Sequence, residues 1–149
     1  MEFLYKNVSI YADTSDNLII IPTGNSEKWG GAVDIDLAFQ LNSPYTDEEL
    51  EESINKALVQ CFSLKPNEDI KETVIERFLK IKGYSKAVKE RRFVSLFWNV
   101  NEGYIITPTK KVPRQGYVHI NDKSFRLGLK PQMGEIGLAI REAMKLSTY

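Results

Sequence analysis

The sequence has one cysteine, Cys61, and one histidine, His119. No disulfide can form within the chain, and a zinc site built from Cys and His lacks ligands. That composition suits a reducing cytosol. No apolar run reaches the roughly 18 residues of a membrane-spanning helix. The opening residues, MEFLYKNVSIYADTSD, show no basic region followed by an apolar run, so no signal peptide is expected. The glycine-bearing loop Thr23–Gly31 lacks the GxxxxGK(S/T) and GxGxxG spacings, which excludes a phosphate loop there. Repeats and low-complexity tracts are missing as well.

What is present describes one globular domain. A chain of 149 residues can bury a real core, and 42% hydrophobic with 27% charged residues argues against disorder. The net charge of zero conceals a segregation. Residues 1–52 carry eleven acids against Lys6 and Lys28, a balance of −9, so the remainder carries +9. The two halves either pack on each other or present patches of opposite sign to partners.

Hydrophobic periodicity outlines the elements. Phe3–Tyr11 reads as a strand, followed by a turn at Asp13–Asn17 and a β-branched run, Leu18–Ile21, that Pro22 is expected to stop. Trp29, beside two glycines, is either a core plug or an anchor for a partner. Val33–Phe39 alternates strictly, which predicts one strand with Asp34 and Asp36 roughly 7 Å apart on one face. Two carboxylates so placed can hold a metal or serve as a general acid/base pair. They can equally form a solvated or salt-bridged face, the reading favoured here because no third ligand stands at motif spacing.

Thr46-Asp-Glu-Glu49 is a capping box that opens a helix with an apolar stripe of Leu50, Ile54, Ala57, Leu58, Cys61 and Phe62. Cys61 therefore belongs to the core and not to a nucleophile. A second helix is expected over Glu68–Lys82, ended by Gly83, and a last one from Gly134 to Leu146.

The densest stretch is Phe93–Leu127. FVSLFW is apolar on both faces and reads as a central strand. YIITPT follows and is expected to end at Pro108. A basic loop over Thr109–Gly116 holds Lys110, Lys111 and Arg114, then YVHI, a two-residue turn Asn121-Asp122, and KSFRL. His119 has no Ser or Cys nucleophile near it by motif, so catalysis is not assigned to it. These elements predict an α+β fold, one domain over 1–149, with a mostly antiparallel sheet that leaves room for a parallel pair. About three helices pack against it.

The strings NLIIIPTG (17–24), SEKWGGAVDIDLAFQL (26–41), SPYTDEELEE (43–52) and EGYIITPTKKVPRQGYVHI (102–120) resemble the immunity proteins of bacterial contact-dependent growth inhibition systems. The resemblance spans most of the chain in order. It implies a cytoplasmic protein that is not an enzyme and that binds and neutralises the C-terminal toxin domain of a neighbouring cell's effector, commonly a nuclease. In such proteins the toxin can add a β-hairpin to the immunity protein's sheet. No cofactor, metal, catalytic residue, membrane or small-molecule substrate is implied. The toxin-contact candidates are chosen from the edge and loop at 104–120: Tyr104, Thr107, Thr109, Lys110 and Lys111, then Arg114, Gln115, Tyr117 and His119.

Two other readings compete. Strands 91–127 are basic and carry Phe93, Phe97, Trp98, Tyr104 and Tyr117, which can stack nucleic-acid bases. Against that stand a pI near 6.6 and the acidic first third. A metal-dependent enzyme using Asp34 and Asp36 is the third.

Overall fold

β1 (Tyr5–Ala12) and β5 (Arg92–Asn99) run side by side through the middle of the sheet, paired over eight positions from Tyr5 opposite Asn99 to Ala12 opposite Arg92. Their alternation sends Val8, Ile10, Val94 and Leu96 to one face and Tyr11 and Phe93 to the other. The computed structural model describes residues 4–28 and 30–149. Phe3 and Trp29, for which a strand start and a plug or anchor are expected, lie outside the described residues.

β2 (Leu18–Asn25) flanks β1, and β6 (Gly103–Val112) flanks β5. Beyond β2 lie β3 (Ala32–Asp34) and β4 (Phe39–Leu41); beyond β6 lie β7 (Gly116–His119) and β8 (Phe125–Gly128). Every pairing among these eight strands is antiparallel, so no mixed pair occurs.

Two prolines that are expected to end strands instead sit inside them. Pro22 is paired with Val8 within β2, and Pro108 with Val94 within β6. The reason is the same at both places. β2 pairs with β4 through Leu18–Ile20 and with β3 through Thr23–Asn25, and Pro22 falls between. β6 pairs with β8 through Tyr104–Ile106 and with β7 through Thr109–Val112, and Pro108 falls between. Each proline's carbonyl accepts one bond on that outer side, from Ile35 at 3.1 Å and Ile120 at 2.9 Å. The missing N–H points to the same side, into the gap where one neighbour gives way to the next. No ladder bond is lost.

The single strand expected over Val33–Phe39 is broken for a related reason. The chain turns at Ile35–Ala38, with Leu37 N–H donating to the Ile35 carbonyl at 2.7 Å, so that β3 and β4 pair with different parts of β2. Asp34 and Asp36 part company there. Asp34 accepts from Ser9 at 2.8 Å, and Asp36 pairs with Arg77 through Nε at 3.0 Å. They form no carboxylate pair.

Among the described residues, four helices cover the sheet. α1 (Asp47–Gln60) starts at the predicted capping box: Thr46 Oγ1 accepts from Glu49 N–H at 3.0 Å, and Glu49 accepts from Thr46 N–H at 3.2 Å. α4 (Glu135–Leu146) lies beside it. Together they bury Leu50, Ile54, Ile136 and Ile140 against Val8, Ile10, Ile20 and Leu96. Each fully buried aliphatic side chain here contributes about 1.5–3 kcal/mol. Glu51, whose charge the dipole of its own helix explains poorly, caps the other helix: its carboxylate accepts from Gly134, Ile136 and Gly137 N–H at 3.0, 3.0 and 3.3 Å.

On the opposite face lie α2 (Val74–Leu79) and α3 (Tyr84–Ala87), packed through Val74, Ile75, Ala87 and Val88 on Tyr11, Ile19 and Ile21. The helix expected over Glu68–Lys82 is thus cut to six residues. Its start is set by a second capping box, Thr73 with Glu76, and its end by Lys80 in the left-handed conformation at φ 57°. Asn121-Asp122 is no hairpin turn. It belongs to a 3-10 turn, Asn121–Lys123, that carries the chain from β7 to β8, both of which pair with β6 and not with each other.

Candidate partner-binding cleft

The basic loop expected over Thr109–Gly116 is largely strand, and only Pro113–Gln115 form its turn. This extends β6 and β7 into a hairpin that stands against α3. Between them opens a cleft of about 410 Å3, lined by Tyr84, Ser85 and Val88 of the α3 segment and by Lys111, Pro113, Arg114 and Tyr117 of the hairpin, among others. A wider groove of about 700 Å3 runs over the outer face of α1 between Phe39 and Met133. It holds none of the nine candidate residues.

Strand parity sorts the nine. Thr107, Thr109 and Lys111 of β6, with Tyr117 and His119 of β7, fall on the face shared with α2 and α3. Tyr104 and Lys110 fall on the other, where Tyr104 packs on the α1/α4 core. Arg114 and Gln115 occupy the hairpin tip, both exposed.

Their accessibility differs sharply. Thr109 is fully buried, donating its hydroxyl to the Phe93 carbonyl at 2.6 Å and its N–H to Ser147 Oγ at 3.0 Å. Thr107 is buried too and shares a 2.8 Å bond with Ser124. Neither side chain faces solvent, so both act as supports of the hairpin's root. Lys110, Arg114, Gln115 and His119 are exposed; Tyr104, Lys111 and Tyr117 are half-buried.

Tyr117 is the hinge pin of the cleft. Its hydroxyl donates to the Arg91 carbonyl at 2.8 Å, and its ring closes a cluster with Phe93 and Tyr11 at centroid distances of 5.2 and 6.1 Å. Burial pushes its phenol pKa well above the ordinary tyrosine value. Lys111 lays its chain over the Tyr117 ring, with Nζ 5.1 Å from the centroid and donating to the Val88 carbonyl at 2.6 Å. Burial lowers the Lys111 pKa, the direction desolvation imposes on a cation.

The surroundings are strongly basic. Residues 80–92 carry six cations against Glu90, and residues 110–117 carry three cations and no acid. Among the described residues, Lys86, Lys89, Lys110, Lys111 and Arg114 make no ion pair. β7 forms the rim: it pairs with β6 alone, so its outer edge is unpaired among the described residues. β6 itself is interior, with β5 on one side and β7 and β8 on the other, so of the edge expected over 104–120 only the β7 part is an edge, and β8 is the other strand on that side.

Sequence reasoning missed the contribution of Tyr84, Ser85 and Val88, since nothing in the basic run 84–92 announces that it faces the hairpin. The stacking platform imagined for nucleic acid is dispersed. Phe93, Phe97 and Tyr117 sit on one face, Trp98 and Tyr104 on the other, each at least partly buried. No group of three or more His, Cys, Asp or Glu residues able to hold a metal occurs among the described residues. No described helix is long and apolar enough to cross a membrane.

No family model and no curated protein matches the chain. Solved structures do. A Neisseria meningitidis protein of unknown function superposes with a TM-score of 0.75 at 18% identity, over 99% of this chain and 100% of its own. A chain of a CdiA-CT/CdiI toxin and immunity complex from Yersinia pseudotuberculosis superposes with a TM-score of 0.71 at 13% identity, over 97% of this chain and 98% of its own. At these identities the shared property is the fold, end to end.

Proposed function

We propose that this protein is an immunity protein of a bacterial contact-dependent growth inhibition system. In this reading it resides in the cytoplasm and binds the toxin domain of a cognate effector, a nuclease by the same reading. It inhibits that domain as a stoichiometric binder without turnover. The observation that carries the reading is the full-length match in fold to a chain of a toxin and immunity complex. The assignment to the immunity side of such a pair rests on the four sequence strings that resemble immunity proteins.

The hairpin cleft and the edge of β7 are the docking surface in this proposal. Tyr117 and Lys111 supply a preorganised floor, since their positions are already fixed by the bonds to Arg91 and Val88. Arg114, Gln115 and His119 supply an exposed rim whose charges mainly speed encounter, while Lys110 adds its charge from the other face of the sheet. A toxin strand can add to β7, but a four-residue edge offers only a short ladder, so side-chain contacts must contribute much of the affinity. Tyr104 contacts the toxin only if the interface extends around the sheet to the α1/α4 side.

The test is direct mixing of the purified protein with the toxin domain of its cognate effector. A tight 1:1 complex in which the toxin's activity is lost supports the proposal. Two species that elute separately, with activity unchanged, refute it.

A further inference from the structure

We infer that the cleft between α3 and the β6–β7 hairpin receives a carboxylate-bearing segment of a protein partner, with the acid seated over Lys111 and the exposed cations of the rim around it. This rests on the toxin-binding proposal only for the identity of the protein that brings the segment.

Lys111 lines the cleft. An ammonium carries three donors, and this one uses a single acceptor, the Val88 carbonyl. The group is half-buried, and no carboxylate lies within ion-pair distance of it among the described residues. Taking a cation partly out of water without a counter-charge is unfavourable. The fold nevertheless holds it there, stacked on Tyr117 and beside an open cleft. An arriving carboxylate removes that cost and finds Arg114 on the same wall. Lys86 and Lys89 follow the lining residues Ser85 and Val88 in the chain and add to the field.

The same walls argue for protein over nucleic acid. Tyr84, Val88, Pro113 and Tyr117 give the cleft apolar sides, which suit an acidic residue flanked by apolar ones. The unpaired edge of β7 beside the cleft can take an extended peptide, an option a nucleic acid lacks. A polyanion would also meet the −9 charge of residues 1–52 on a molecule whose net charge is zero.

The experiment uses the whole protein, labelled with 15N, and three probes. These are a synthetic peptide of alternating glutamate and valine, its counterpart with lysine replacing glutamate, and a single-stranded oligothymidylate. The acidic peptide is expected to shift the amides of Val88, Lys111, Gln115 and Tyr117 saturably, and to bind several-fold more weakly on raising salt from about 50 to about 200 mM. The lysine peptide leaves them unmoved. Arg114→Glu, at the exposed tip, and Lys111→Met, which keeps an unbranched apolar chain over Tyr117, each weaken binding about tenfold. The inference is overturned if the acidic peptide gives no saturable shifts at these amides, or if the oligonucleotide binds the cleft more tightly than the peptide. Because no toxin is involved, the outcome is separable from the neutralisation test. A protein that neutralises a toxin while its cleft ignores the acidic peptide loses this inference and keeps its proposed function.

Discussion

Replacing Asp34 with asparagine should make the protein more stable at neutral pH, by an amount set by how far the fold displaces its ionisation. Asp34 lies at the end of β3 with its carboxylate 2.8 Å from the Ser9 hydroxyl of β1. Burial pushes its pKa from an ordinary 3.8 up to about 6, while the Ser9 bond acts in the opposite direction and is the lesser influence. The folded chain therefore holds this proton more tightly than the unfolded chain. Stability from this group is complete below the unfolded pKa and is lost as pH rises through the folded one. Two units at about 1.4 kcal/mol each mean that ionised Asp34 costs the fold about 3 kcal/mol above pH 7. Asp34→Asn keeps an acceptor for Ser9 and removes the charge. Urea unfolding of both proteins across pH is the assay. The variant should be more stable by up to about 3 kcal/mol above pH 7, and the gain should shrink to nothing near pH 4. A variant no more stable than the parent at pH 7.5, or a gain that does not depend on pH, refutes the reasoning.

Other predictions concern the helix packing and the cleft floor. Glu51→Ala leaves three amides at the start of α4 without their acceptor and should cost about 2–3 kcal/mol in chemical denaturation, whereas Glu51→Gln, which retains an acceptor oxygen, should cost roughly half as much. Gly137→Ala places a methyl 2.9 Å from the Asp47 carbonyl oxygen, a backbone atom that cannot step aside, so a thermal melt should show a loss of about 1–3 kcal/mol. Tyr117→Phe removes the bond to Arg91 and should cost about 1 kcal/mol by urea titration. Faster amide exchange along β7, with β1 and β5 unaffected, would place that loss at the hairpin.

Much of the fold is legible in the sequence where local and tertiary preferences agree. The box at Thr46 and Glu49, the stripe from Leu50 to Cys61 and the two-faced apolar strand at Phe93–Trp98 all belong to this class. Where a neighbouring strand decides the outcome, the sequence misleads. Pro22 and Pro108 read as stops because a lone strand gives no hint that its outer neighbour changes at that residue. Val33–Phe39 alternates as a strand should, yet Pro22 on β2 offers no donor at the level of Ile35–Ala38 to hold a continuous ladder. The sequence contains the box Thr73–Glu76, but the apolar pattern beginning at Ile70 points to an earlier helix start than the structure has. Of the candidate site, the exposed cations and Tyr117 were legible from charge and alternation. The burial of Thr107 and Thr109 was not, because it depends on Ser124 and on Ser147 from distant parts of the chain. The facing wall, Tyr84 to Val88, was hidden for the same reason.

The central claim is that this chain protects a cell from a toxin. It is tested most directly by growth of bacteria that produce, on induction, the toxin domain of the cognate effector, with and without this protein. Arrest is expected without the protein and normal growth with it, and reduced protection when Arg114→Glu is combined with Lys111→Met. Arrest that proceeds equally in the presence of well-expressed, folded protein would contradict it.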